Sequence, residues 1–127
     1  MMKHSIVGAK SYAFAVRMVR LYQYLANKKQ EYVLSRQILR SGTAIGANVE
    51  EALGGHSRAD FLAKLTIAYK EARETCYWLR LLRDTKYLSA KEYNSIAPDA
   101  EELCRLLGSI QKTTKATPVP PSSTRNS

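Results

Sequence analysis

The chain is poor in the residues that most often do chemistry. Histidine occurs only at His4, near the start, and at His56, inside a Gly-Gly-His-Ser stretch. A nucleophile with a base and an orienting group needs a histidine or lysine held inside a pocket, and neither position promises one. Glu50, Glu51, Glu71 and Glu74 are present, but no Glu-x-x-His pair accompanies them, so the di-iron arrangement of some helical bundles is not expected. Cys76 and Cys104 stand in helical, apolar surroundings with no C-x-x-C and no paired Cys/His spacing, so no zinc site is expected either. The chain is therefore expected to have no catalytic residue, metal or cofactor and not to be an enzyme. No signal-like apolar run opens it. With two thiols read as reduced and buried, this places the protein in the cytoplasm.

Strand-like alternation is missing, and proline is confined to Pro98 and the last ten residues. Acid is scarce as well: 11 Asp and Glu stand against 20 Lys and Arg, a formal charge of +9 over 127 residues. Only Lys115 and Arg125 of the basic residues fall in the last fourteen, so most of the excess rides on the folded part. Such an excess suits an anionic partner, nucleic acid or acidic protein. The plainer alternative is a solvated basic surface that serves solubility.

What is present is helix-period sequence, densest in small residues at 39–53, LRSGTAIGANVEEAL. Ile38, Gly42, Ile45, Val49 and Ala52 step by four and three, which keeps them on one helix face. Two interior glycines cost about 1 kcal/mol each against alanine, so Gly42 and Gly46 imply close approach by a neighbouring helix. Their G-x-x-x-G spacing is not a membrane signature here, because Arg40, Glu50 and Glu51 share the segment.

A first helix is expected over 5–26, with Val7, Phe14 and Leu21 interleaved with Ser11, Met18 and Leu25 as a coiled-coil-like seam. Asn27-Lys28-Lys29-Gln30 reads as a short polar connection, which implies antiparallel neighbours. Helix two is expected over 32–53, stopped by a left-handed Gly54-Gly55. Ser57 with Asp60 forms a reciprocal capping box for helix three, whose seam is Phe61, Leu65, Ala68, Ala72, Thr75, Leu79 and Leu82, ending near Asp84. Ser89 with Glu92 is a second box, opening a helix with the stripe Tyr93, Ile96, Ala100, Leu103, Leu107 and Ile110. Pro98 sits on its polar face and predicts a kink or brief break. The expected fold is all-α, an antiparallel up-down-up-down four-helix bundle over 1–113, with a disordered Thr/Pro/Ser-rich tail over 114–127.

Two basic faces stand out. Lys3, Lys10 and Arg17 recur every seven residues on helix one, with Arg20 and Tyr24 nearby. Lys70, Arg73, Tyr77 and Arg80 share one face of helix three, and cations interleaved with an aromatic suit phosphate contact and base stacking. The plain reading is that Lys70 pairs with Glu74 and Tyr77 packs in an interface. A glutamate near the seam, Glu50, Glu51 or Glu74, is expected to meet Arg40 or Arg73 and help fix register or subunit pairing. Trp78, Tyr77 and Tyr69, with Tyr12, Tyr22, Tyr24 and Tyr32 elsewhere, give more aromatic surface than one core needs and favour an oligomer.

RSGTAIGANVEEA followed by SRADFLAKLTIAYKEARETCYWLRLL resembles the small four-helix-bundle proteins encoded by intervening sequences of bacterial large-subunit rRNA genes. The resemblance spans about 12–107; Pro98 and the proline-rich tail depart from it. It implies a ring-like homopentamer with a basic surface, a role in binding RNA or DNA, and no established enzymatic activity. The accessory variability proteins of diversity-generating retroelements look similar and imply an alternative, an accessory subunit docking on a reverse transcriptase or other nucleic-acid enzyme. The resemblance also implies that Arg40, Ser41, Gly42, Gly46, Asn48, Glu50, Glu51, Lys64, Glu71, Arg73, Glu74 and Leu79 are packing and interface determinants. Asn48, beside the seam, is expected to need partners from a facing helix.

The resulting expectation is an oligomer that binds nucleic acid, structured RNA ahead of DNA, electrostatically and with little sequence specificity. Lys10, Arg17, Arg20, Lys70, Arg73, Tyr77 and Arg80 are the candidate nucleic-acid contacts. Arg40, Gly42, Gly46, Asn48, Glu50, Glu74 and Trp78 are the candidate packing residues. No membrane association is expected.

Overall fold

The computed structural model describes residues 2–116, the side chains of residues 2, 3 and 5 excepted. Four helices make up that part: α1 (Met2–Asn27), α2 (Leu34–Leu53), α3 (Arg58–Asp84) and α4 (Ala90–Ala116). Each packs on its neighbours in chain order and α4 closes back on α1, while the Cα atoms of α1 and α3, and of α2 and α4, stay more than 8 Å apart among the described residues. Residue numbers rise along one helix as they fall along its neighbour: Lys10 meets Glu102, Arg17 meets Asp99 and Tyr24 meets Glu92 across α1 and α4. The expected tail falls outside the described residues from 117 onward, and α4 itself continues to Ala116.

The periodic seams become the core. Val7, Ser11, Phe14, Met18, Leu21 and Leu25 of α1 are all buried, as are Ile38, Gly42, Ile45, Val49 and Ala52 of α2. In α3, Leu65 through Leu82 of the expected series are buried. Phe61, near the end of the bundle, is only half-buried and packs its ring 5.0 Å from that of His4. Ile96, Ala100, Leu103, Leu107 and Ile110 of α4 are buried, and Tyr93 packs at the margin. Burying a Val, Leu, Ile, Phe or Met side chain contributes about 1.5–3 kcal/mol, so the sixteen such core positions outweigh any surface term.

The small-residue seam of α2 faces α1. A Cβ on Gly42 would lie 2.2 Å from Met18 Cγ, and one on Gly46 would lie 3.1 Å from the backbone oxygen of Ser11. Met18 is fully buried, so at both positions the missing Cβ is what lets the two helices approach. On the opposite flank, Thr75 of α3 donates its one hydroxyl hydrogen to the Glu71 carbonyl of its own helix at 2.8 Å and accepts from the Ser41 hydroxyl at 2.9 Å, so that this buried hydroxyl pair is satisfied. Gln111 reaches Thr66 Oγ1 at 2.8 Å between α4 and α3.

The helix ends differ in part from expectation. Gly54 is not a left-handed stop: its φ is −93°, and no described glycine has a positive φ. At Gly55 a Cβ would meet the Ala52 carbonyl oxygen at 3.2 Å and displace the exposed Asp60 carboxylate. The left-handed positions are Gln30 (φ 54°) and Lys86 (φ 72°). At Lys86 the bonds Lys86 N to Arg83 O and Tyr87 N to Leu82 O, each about 3 Å long, close α3 in the paired pattern that usually ends on glycine. Helix α2 begins at Leu34 rather than at 32 because Glu31 caps it. The Glu31 carboxylate accepts from the backbone N–H groups of Val33, Leu34 and Ser35 at 3.2, 3.0 and 2.7 Å, satisfying first-turn donors.

Ser57 caps α3 through the Asp60 N–H at 3.0 Å, but Asp60 lies against Gly55 and makes no return bond. The Ser89–Glu92 box is complete, with bonds of 2.8 and 3.1 Å. Pro98 is exposed and α4 runs through it without a break, since the donor lost to the Asn94 carbonyl lies on the solvent side, where water can replace it.

Gly42→Val should destabilise the protein by about 1–3 kcal/mol through overpacking against Met18. Gly54→Ala, at an ordinary φ and with its nearest neighbour 3.7 Å away, should be neutral or stabilising by up to about 1 kcal/mol. Denaturant unfolding followed by circular dichroism measures both, and equal effects of the two substitutions would contradict the close-approach role of Gly42.

Candidate nucleic-acid interface

On α3, Lys70, Arg73, Tyr77 and Arg80 all stand exposed on the outward side of the helix. The guanidinium carbons of Arg73 and Arg80 lie 6.0 Å from the ring centroids of Tyr69 and Tyr77 respectively, at the outer limit of cation–π contact. Tyr77 in turn meets the half-buried Trp78 edge-on at 5.1 Å. Among the described residues, Lys70, Arg73 and Arg80 meet no carboxylate. The expected alternative, Lys70 paired with Glu74, is not formed because Glu74 is held elsewhere. Lys70 and Arg80 lie ten residues apart, about 15 Å along the axis, enough for several phosphates of one strand.

The α1 set is divided. Lys10 pairs with Glu102 at 3.3 Å, and Arg17 binds Asp99 at 2.7 Å and the oxygens of Ser95 at 3.0 Å. All four charged partners are substantially exposed, so each ion pair is worth at most about 1 kcal/mol. Arg20 is exposed and meets no carboxylate among the described residues. Lys10 and Arg17 thus serve first as α1–α4 contacts.

Of the packing set, Glu74 and Trp78 gather around Arg40. Its guanidinium bonds Glu71 Oε1 at 3.1 Å and the Glu74 carboxylate, which also accepts the Trp78 indole N–H at 2.9 Å. Arg40 thus ties α2 to α3 through Glu74, as expected, and through Glu71. Glu50 is exposed and outside this network, whereas Glu51 pairs with Lys64 at 3.0 Å, and that bond raises the Lys64 pKa. Asn48 donates to the carbonyl of Ala44 at 2.9 Å, on its own helix rather than a facing one. Gly42 and Gly46 belong to the α1 contact described above.

Sequence reasoning missed three features. Cys76 and Cys104 come together between α3 and α4 with sulfurs 3.8 Å apart, both thiols free and half-buried. The Cys104 thiol bonded to it draws the Cys76 pKa below its ordinary value, and the same bond together with burial pushes Cys104 up. The second is the Tyr24 hydroxyl on Glu92, at 2.9 Å. The third is an open cavity of about 650 Å³ beside it, between α1 and the start of α4. Each depends on which turn of one helix faces which turn of another, a register that helical periodicity does not carry.

A four-helix protein with small-residue packing on one flank and a basic, tyrosine-bearing face on another is a recognisable class, and the comparisons say which. Residues 3–109 match the model of the 23S rRNA-intervening sequence protein family, to which this chain belongs. A solved structure from the S23 ribosomal protein family of Bacteroides thetaiotaomicron, described as of unknown function, is 55% identical. The match covers 87% of this chain and 98% of that one, with a TM-score of 0.85. No curated protein matches. No helix among the described residues is long and apolar enough to cross a membrane, and no three metal-ligating side chains converge among them.

The sulfur pair generates a direct test. Removing the donor with Cys104→Ala should move the midpoint of the pH profile for Cys76 alkylation by iodoacetamide upward. Cys104→Ser, which keeps a hydroxyl donor, should leave it lower than the alanine variant. Coincident profiles for the two would show that the bond does not set the Cys76 pKa.

Proposed function

We propose that the protein is a non-enzymatic, cytoplasmic, up-down-up-down four-helix bundle that assembles as a homopentamer and binds structured RNA through its basic α3 face. One observation carries the binding half: three cations that form no ion pair among the described residues, Lys70, Arg73 and Arg80, share an exposed face with Tyr77 in a chain of charge +9. A convex helix face offers charge and stacking but no groove-reading element, so recognition is of backbone and shape.

Assembly finds support on the back of α1. Tyr12, Val16 and Val19 step by four and three on the side opposite the core seam and are 72%, 38% and 41% exposed. An apolar stripe of this kind is a natural subunit contact. The same stripe favours the second reading, an accessory subunit that docks on a reverse transcriptase. The two differ in what the isolated protein does.

Binding of the purified chain to an RNA hairpin across a salt series separates them. Direct binding predicts a steep fall of affinity with salt, and replacing Lys70, Arg73 and Arg80 together with alanine should reduce the slope by roughly one per cation. Absence of binding at low salt would end the direct-binding reading and favour the docking one.

A further inference from the structure

The cavity between α1 and α4 has two kinds of wall. Its floor is apolar: Leu21, Leu88 and Ile96 are buried core residues, and Tyr24 stands beside them. Its rim carries three cations, Arg17, Arg20 and Lys91, against one carboxylate, Glu92. That carboxylate is already occupied. One oxygen accepts the Ser89 N–H at 2.8 Å and the other the Tyr24 hydroxyl at 2.9 Å. Arg17 is engaged by Asp99 and Ser95. Arg20 and Lys91 remain on the rim with no carboxylate among the described residues.

A spare pair of cations above an apolar, tyrosine-edged floor selects a ligand with a flat apolar body and an attached anion. The volume, about 650 Å³, falls within the range of small-molecule sites, roughly 300–1,000 Å³. The geometry points to an unpaired nucleotide of RNA as the occupant: its base lies against Leu21, Leu88 and Ile96 beside Tyr24, and its phosphate meets Arg20 and Lys91. This rests on the RNA-binding reading and adds to it. The α3 face offers charge and one exposed ring but no concavity, whereas a base swung out of a bulge or loop can enter this cavity. It also gives Arg20 a role apart from the α3 set, at the α4-side border of the apolar stripe of Tyr12, Val16 and Val19.

The test compares an RNA hairpin carrying one unpaired adenosine with the fully paired hairpin of the same stem, bound to the full chain at one low salt concentration. The bulged RNA should bind about tenfold tighter, near the low end of what one stacked base contributes. Ser95→Trp, on the exposed wall of the cavity, should make the two hairpins bind alike. Arg20→Ala with Lys91→Ala, which leaves the floor intact, should weaken the bulged RNA more than the paired one. Equal affinity of the unaltered protein for both hairpins would overturn the cavity assignment while leaving the α3 reading in place. Failure to bind either would overturn both.

Discussion

The approach of α2 to α1 sets the terms for the rest of the molecule. Gly42 gives up its side chain to Met18, and Gly46 gives up its own to the backbone of Ser11. Each glycine costs helix propensity, about 1 kcal/mol. In return a fully buried methionine and the adjoining Ile38, Ile45 and Val49 sit in a continuous core. The other flank of α2 is then turned to α3, where Ser41 meets Thr75 and Arg40 meets Glu71 and Glu74. These contacts fix which turn of α3 lies opposite which turn of α2, and so which α3 residues are left facing outward.

What is left outward is not uniform. Glu71 and Glu74 are drawn in by Arg40, so the acidic half of the Lys70–Glu74 stretch is neutralised against α2. The basic half, with Arg80 a few turns on, faces solvent. Packing therefore separates the charges of one short segment and produces a positive face. On α1 the reverse happens. Lys10 and Arg17 are tied to α4, and the outward surface carries the apolar stripe of Tyr12, Val16 and Val19, bordered by Arg20. The two faces have different chemistry, and the proposed function assigns RNA to the first and another subunit to the second.

Much of this was legible in the sequence because an amphipathic helix writes its buried face at fixed spacing. The seams of α1 through α4 and the Ser89–Glu92 box followed from that spacing alone, and the two interior glycines pointed to close approach. The family resemblance, carried by the small-residue segment of α2 and by α3, agrees with the match over residues 3–109. What periodicity could not supply was register between helices, which decides that Arg17 meets Asp99 and that Cys76 meets Cys104. Residue identity also misled at the turns. Glycine at 54 suggested a left-handed stop, whereas Gln30 and Lys86 take those conformations. Their long side chains remain exposed, so the backbone cost is offset by the bonds that close α1 and α3. Glu31 escaped notice as a cap because it acts on donors two to four residues ahead instead of from the usual serine or threonine position.

The central claim is the division of labour between the α3 face and the α1 stripe. Photo-crosslinking of the protein to an RNA bearing 4-thiouridine, with the attached peptides mapped by mass spectrometry, tests it most directly. The account predicts crosslinks on α3 around Tyr77 and none at Tyr12. Crosslinks concentrated at Tyr12 and absent from α3 would contradict it, and would make the apolar stripe rather than the basic face the surface that meets RNA.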